Sequence, residues 1–242
     1  MAEISHRRAR FESMEPVLKH TWRLPPRQAV ILQRMLADRV IRRSTCDLRR
    51  LSLVVGTDVS YSKVTDTCYG AAVVWDYRRG RQVAAATAVR RARFPYVPGL
   101  LSFREAPVLV AALAKLTCLP DLLLVEGQGL AHPRRFGLAS HLGVLYDLPA
   151  VGCAKKRLVG QHGPLGSGRG SRTLLKDKAE VVGAVLRTRS LVRPVYVSPG
   201  HRIAVEQCCR VIARLSGRAR LPDPLRCAHA LANQQRQRNE TG

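Results

Sequence analysis

The chain has 242 residues, 46% of them apolar, enough for one large domain with its own core and no need of disulfide staples. Lys plus Arg number 41 against 17 Asp plus Glu, a formal charge of +24, and such an imbalance singles out a polyanionic partner, nucleic acid or an anionic membrane surface. Seven cysteines, an odd count without CxxC or metal spacing, point to reduced thiols in a cytoplasmic protein. The N-terminus lacks the apolar core of a signal peptide, and the most apolar region, around Val108 to Val125, is broken by Lys115, Pro120 and Asp121, so no membrane span is expected.

In chain order, residues 1–24 are polar and basic and read as a loosely ordered extension. "PPRQAVILQRMLADRVI" places apolar residues at helical spacing behind a proline start. Three strand-like segments follow, "LSLVVGTDVSYS", "YGAAVVWDY" and "RQVAAATAVRRARF", with the lengths and short connections of an antiparallel meander. "SFREAPVLVAALAKL" reads as a helix, "DLLLVEG" as a buried strand, "LASHLGVLYDL" as a helix and "PAVGCA" as a short strand. "KDKAEVVGAVLRTR" starts as a helix, "PVYVSPG" is a late strand, and "HRIAVEQCCRVIARL" and "DPLRCAHALANQQRQR" are the last helices. The order predicts an α/β protein, a mixed sheet with an antiparallel meander followed by parallel strands and flanked by helices. Residues 25–235 form a single domain and 236–242 a C-terminal tail. "HGPLGSGRGSR" matches GxxxxG from Gly163 to Gly168, but Arg169 and Gly170 stand where a phosphate loop needs Lys and Ser or Thr, so it reads as a flexible loop.

Three acids stand out. Asp58 lies within a strand, where a carboxylate facing the core needs a partner or a metal; facing solvent it could bond Ser60 or Tyr61. Glu126 closes a buried strand and runs into Gly127, Gln128 and Gly129, where it could instead satisfy turn amides. Glu105 completes S-x-x-E from Ser102, the pattern of a capping box. Asp223, before Pro224, reads as an N-cap. In a chain so short of acids, carboxylates on core strands suggest hard-cation chemistry on a polyanion, since Mg²⁺ takes one or two carboxylates together with phosphate oxygens and water. Lys155-Lys156-Arg157 leaves a short strand, so Lys155 could neutralise developing phosphate charge. Arg134 and Arg135 suit phosphate contact, while His141 and His201 read as packed or structural. His132 reads equally as a turn histidine satisfied by main chain.

"GTDVSY", "FPYVPGLLSFRE", "VEGQGLAHPRRFGLASHLGV", "VGCAKKRLVG", "VLRTR", "VYVSPGHRI" and "LPDPLRCAH" follow one another as in the endonuclease V family, which the chain resembles from about residue 25 to 235. The resemblance implies a ribonuclease H-like fold and a Mg²⁺-dependent endonuclease, with Mn²⁺ able to substitute. Such an enzyme recognises inosine in DNA, with RNA left open, and serves nucleic-acid repair. It hydrolyses the second phosphodiester bond 3′ to inosine, leaving 3′-hydroxyl and 5′-phosphate ends. It makes Asp58, Glu105 and Glu126 the metal-binding acids, overriding the capping-box reading of Glu105, and adds Lys155 and His229 to the active site. Pro95, Tyr96, Val97 and Pro98 become a strand-separating wedge, with Tyr96 able to fill the gap left by an extruded base. Gly127 and Gly129 would leave main chain bare for a flat base, beside His132 and Arg134. At Glu126 the family's usual residue is aspartate, and the extra methylene opens an alternative: an inosine-specific binding protein that cuts weakly or not at all. A monomer without membrane contact is the expected form.

Overall fold

The computed structural model describes residues 13–241. Its elements in order are α1 (Pro26–Ala37), β1 (Leu53–Ser62), β2 (Thr67–Asp76), β3 (Arg81–Arg91), α2 (Leu101–Leu113), β4 (Leu122–Glu126), α3 (Leu138–Tyr146), β5 (Ala150–Ala154), β6 (Arg172–Asp177), β7 (Glu180–Leu186), β8 (Val195–His201), α4 (Val205–Leu215) and α5 (Asp223–Thr241). The strands form one sheet in the order β3-β2-β1-β4-β5-β8-β7-β6. β1 to β3 are the expected antiparallel meander; β4 and β5 run parallel to β1, and β8, β7 and β6 close the sheet antiparallel.

Because strand side chains alternate between faces, β1 and β4 each serve two cores. Val55, Leu123 and Val125 pack with Ala106, Leu109 and Leu113 of α2 and with Leu142 and Leu145 of α3. Val54, Leu122 and Leu124 point the other way, into Cys208, Val211, Ile212 and Leu215 of α4, while Ala71 and Val73 of β2 receive Ala228 and Ala232 of α5. Cys208 and Cys209 are buried packing residues, and none of the seven cysteines forms a disulfide. Among the described residues no helix is long and apolar enough to cross a membrane.

Four expectations about the elements and the chain's ends are corrected by the structure. "KDKAEVVGAVLRTR" is no helix but the β6–β7 hairpin, turning at Lys178 (φ +58°) with Asp177 opposite Glu180. The turn carries none of the Gly or Asn that usually announces a tight hairpin, so only the β-branched Val181, Val182 and Val185 hinted at it. Residues 13–24 are not loose: Met14 is 3% exposed, Leu18 N–H donates to Leu145 C=O at 3.0 Å, and Trp22 packs edge-on to Phe103. The remainder of the expected extension, 1–12, lies outside the described residues. The expected tail is the continuation of α5, which reaches Thr241. Ser102 does not cap α2: it is already inside the helix, and its Oγ lies 3.1 Å from His141 Nδ1.

Candidate active site

The ladder pairs Thr57 of β1 with Val125 of β4, which makes Asp58 and Glu126 the next neighbours on parallel strands roughly 4.8 Å apart. Equal parity puts both on one face. Asp58 is 4% exposed; its Oδ1 accepts the Val59 N–H at 2.8 Å and its Oδ2 lies 2.6 Å from His229 Nδ1 on α5. Burial and the repulsion of Glu126 raise its pKa to about 6, against the pull of the histidine. Glu105 comes from α2, freed from capping by Ser102's engagement with His141. Burial, then repulsion from Asp58 and from Glu126, pushes it up to about 8. Three carboxylates from β1, β4 and α2 therefore sit close enough to oppose one another's ionisation.

Glu126 is partly exposed at the strand end, and its Oε1 lies 3.4 Å from Lys155 Nζ just beyond β5. The Lys155–Lys156 backbone is held at both residues: Arg220 Nη2 donates to Lys155 C=O at 2.7 Å, and Gln128 Nε2 to Lys156 C=O at 3.0 Å. The sequence-named residues Asp58, Glu105, Glu126, Lys155 and His229 thus gather where β4 ends beside the middle of β1.

The segment after β4 answers differently from expectation. Gly127 has φ +146°, a conformation that favours glycine, and is partly exposed. Gly129 does not present bare main chain to a ligand. Its N–H donates to Ser198 Oγ at 2.7 Å, its C=O accepts Gly137 N–H at 3.0 Å, and a Cβ there would sit 2.1 Å from Pro199 O. Its missing side chain lets the loop lie against β8. His132 is 4% exposed, its Nδ1 accepts Arg134 N–H at 3.1 Å, and burial followed by the Arg134 charge lowers its pKa to about 4, so it is a neutral, main-chain-satisfied turn histidine.

Arg134 and Arg135, expected on phosphates, are braces. Arg134 Nη2 donates to Gly99 C=O at 2.6 Å and its Nε to Gln33 Oε1, while Arg135 pairs with Asp177 at 2.7 Å and Glu180 at 2.5 Å. Through Arg134 and Gln33, whose Nε2 also reaches Gly99 C=O at 3.1 Å and Phe136 C=O at 2.8 Å, α1 and the glycine loop hold the base of the Pro95–Pro98 segment. Tyr96 projects from that segment 73% exposed, with Val97 half-buried below it and Phe94 buried at its root. The reading of the sequence missed Gln33; its signal was a glutamine on the apolar stripe of α1, between Ala29 and Leu36. His201 is structural as expected: it accepts Ile41 N–H at 3.1 Å and lies 3.0 Å from Asp147. Asp223 opens α5 inside its first turn, paired with Arg226 at 2.9 Å, rather than preceding it.

The donors gathered at the site are carboxylate oxygens, and burial first and repulsion between neighbouring acids second raise the pKa values of Asp58 and Glu105. Among the described residues no three His, Cys, Asp or Glu side chains close into a preformed cage. An open all-oxygen set suits a hard cation that keeps much of its water, such as Mg²⁺, better than a structural zinc.

A mixed sheet with an antiparallel meander, and parallel central strands that bring Asp58 and Glu126 side by side, defines a ribonuclease H-like protein. The Endonuclease V family model matches residues 34–230. Endonuclease V of Myxococcus xanthus is 46% identical over 212 residues, covering 88% of this chain and 90% of its own. Endonuclease V of Streptomyces avermitilis superposes with a TM-score of 0.85 at 41% identity, over 92% of this chain and 98% of that one. The Ciona intestinalis Endonuclease V, solved in complex with a 24mer DNA containing an inosine followed by a ribo-adenosine, superposes with a TM-score of 0.75 at 26% identity, over 88% and 97% of the two chains. The chain belongs to the endonuclease V family of nucleases.

Proposed function

We propose that this protein is a Mg²⁺-dependent endonuclease that recognises inosine in DNA and hydrolyses the second phosphodiester bond on its 3′ side, leaving 5′-phosphate and 3′-hydroxyl ends. The observation that carries this is the gathering of Asp58 and Glu126 on neighbouring strands beside Glu105, where burial and then repulsion disfavour the charged forms of Asp58 and Glu105, a cost that a bound divalent cation would offset. Similarity to an inosine-DNA complex supports the substrate. Asp58 and Glu126 would hold the cation, with Glu105 completing the set. When bound, Mg²⁺ lowers the pKa of a water and stabilises charge on the leaving oxygen. Lys155, tethered through its backbone, can shift from Glu126 to an incoming phosphate and neutralise its charge there. Tyr96, on a segment stiffened by Pro95 and Pro98 and braced by Arg134, can occupy the space that an extruded base leaves in the strand. Gly127 is the open stretch of the glycine loop on which a flat base can rest. Hypoxanthine offers an O6 acceptor and an N1–H donor where adenine reverses both, so main-chain donors and acceptors suffice to separate them.

The test is strand cleavage of a labelled oligonucleotide carrying one inosine, with Mg²⁺ and then Mn²⁺, beside an adenosine control and in DNA and RNA forms. The reading requires a single cut at the second bond 3′ to inosine, abolished by EDTA; cleavage of both substrates alike would refute it.

One contact favours a second reading. Glu126 stands where the resemblance expects aspartate, and it reaches the lysine expected to serve phosphate. A protein in which these two groups hold each other would bind inosine strands yet cut slowly. Glu126→Asp discriminates: a rise in cleavage of about tenfold or more with unchanged binding supports the binder, whereas unchanged or reduced cleavage supports the enzyme as it stands.

A further inference from the structure

Along α5, His229, Asn233, Arg236 and Glu240 recur at helical spacing and share the face turned to β1. They join Ser60 and Asp58 in one chain of hydrogen bonds. Arg236 Nη1 is anchored on Glu240 at 2.7 Å, and Arg236 Nε donates to Ser60 Oγ at 3.0 Å. Arginine can only donate, so Ser60 accepts here and has its single hydroxyl proton left for Asn233 Oδ1, 2.7 Å away. With Oδ1 so fixed, the amide turns Nδ2 toward His229 Nε2 at 3.0 Å. That nitrogen must then carry a lone pair. The ring proton is left on Nδ1, which donates to Asp58 Oδ2 at 2.6 Å. The chain has an obligate donor at one end and a carboxylate at the other, so only one direction gives every donor along it an acceptor within it.

We infer that Asn233, held by Ser60 and Arg236, is a positioning residue that locks His229 in the Nδ1–H tautomer and so makes the imidazole a fixed donor to Asp58. In this arrangement His229 Nε2 is already taken, so His229 acts by orienting Asp58 and not as a base or a metal ligand. The reverse tautomer would turn Asn233 over. Ser60 Oγ would then face two donors, Arg236 Nε and Asn233 Nδ2, and its own proton would lose Asn233 as acceptor. The inference rests on the reading of Asp58 as a catalytic acid; the tautomer does not depend on it.

The experiment is long-range proton–nitrogen NMR on the full-length ¹⁵N-labelled protein, with the His229 signals identified by their loss in His229→Gln, alongside steady-state cleavage of the inosine strand. The expected wild-type pattern is a protonated Nδ1 and an unprotonated Nε2. Asn233→Asp removes the donor and places a carboxylate opposite Nε2, so that nitrogen should become protonated. The same substitution should lower kcat by about 10- to 100-fold with KM within about twofold, the usual cost of losing a partner that orients a site. Ser60→Ala removes the hydroxyl that sets the amide and should give a mixture of the two tautomers. A wild-type His229 protonated at Nε2, or an Asn233→Asp protein with unchanged tautomer and unchanged kcat, overturns the inference. If the wild-type protein fails to cut inosine strands, the proposed function falls, while the NMR pattern still decides the tautomer.

Discussion

Replacing Glu105 by glutamine removes one of three mutually opposing carboxylates while keeping the size of the side chain. Asp58 and Glu105 hold protons more tightly in the folded protein than in the unfolded chain, with folded values of about 6 and about 8. The metal-free folded state therefore carries extra protons above pH ~4. Their stabilising contribution is fully present below the unfolded values and is lost as pH rises through about 6 and then about 8. The Glu105 displacement from 4.5 to about 8 corresponds to an upper figure of roughly 4–5 kcal/mol at 1.36 kcal/mol per unit. Part of it is repulsion shared with Asp58, so a loss of roughly 2–3 kcal/mol is expected. For a chain of this size that is roughly 5–10 °C in Tm. Thermal unfolding in EDTA at pH 5 and pH 8.5 should show this fall in the wild-type protein and a much smaller one in Glu105→Gln. Saturating Mg²⁺ at pH 8.5 should raise the wild-type Tm by more than the variant's, which keeps Asp58 and Glu126 but lacks the third carboxylate. The neutral, buried His132 and His141 add their own pH dependence, but equally in both proteins. Parallel slopes in EDTA would refute the claim that burial and the neighbouring acids hold Glu105 protonated.

Three further outcomes follow from the glycine loop and the wedge. Gly129→Ala puts a methyl group 2.1 Å from the Pro199 carbonyl oxygen, a backbone atom that cannot turn aside, and should cost about 3 kcal/mol in urea unfolding. Tyr96→Ala, at a position 73% exposed, should leave stability within about 0.5 kcal/mol of wild type while weakening binding and cleavage of a duplex inosine substrate more than a single-stranded one. Arg134→Ala frees Gln33 and Gly99 from the guanidinium; it should cost roughly 1–2 kcal/mol and raise limited proteolysis at residues 95–99, and an unchanged cleavage pattern would show that the brace is not what holds the wedge.

Much of this was legible in one dimension because strands and helices announce themselves by period. The strand-like apolar stretch in "LSLVVGTDVSYS", the continuous run Leu122–Val125 and the helical spacing of α1 and α2 each reflect burial that the residues themselves require. The odd placement of Asp58 and Glu126, acids on strands that are otherwise apolar, was visible for the same reason. The β6–β7 hairpin was not, because its turn at Lys178 lacks the residues that signal a tight turn and its pairing depends on β8.

What the sequence determined alone was the class: a basic chain with scarce, oddly placed acids, a meander followed by alternating elements, and a block of motifs belonging to one family. Which of two roles a residue takes was decided only by tertiary contact. Ser102 and Glu105 spell a capping box, yet Ser102 is drawn to His141 and Glu105 is left facing two carboxylates. Arg134 and Arg135 look like phosphate ligands until Gln33, Gly99, Asp177 and Glu180 arrive from distant segments to engage them. Gly129 looks like a ligand platform until β8 lies against it. A local pattern states what a side chain is able to do; hydrogen-bond satisfaction on burial selects one partner, and that partner is supplied by the fold.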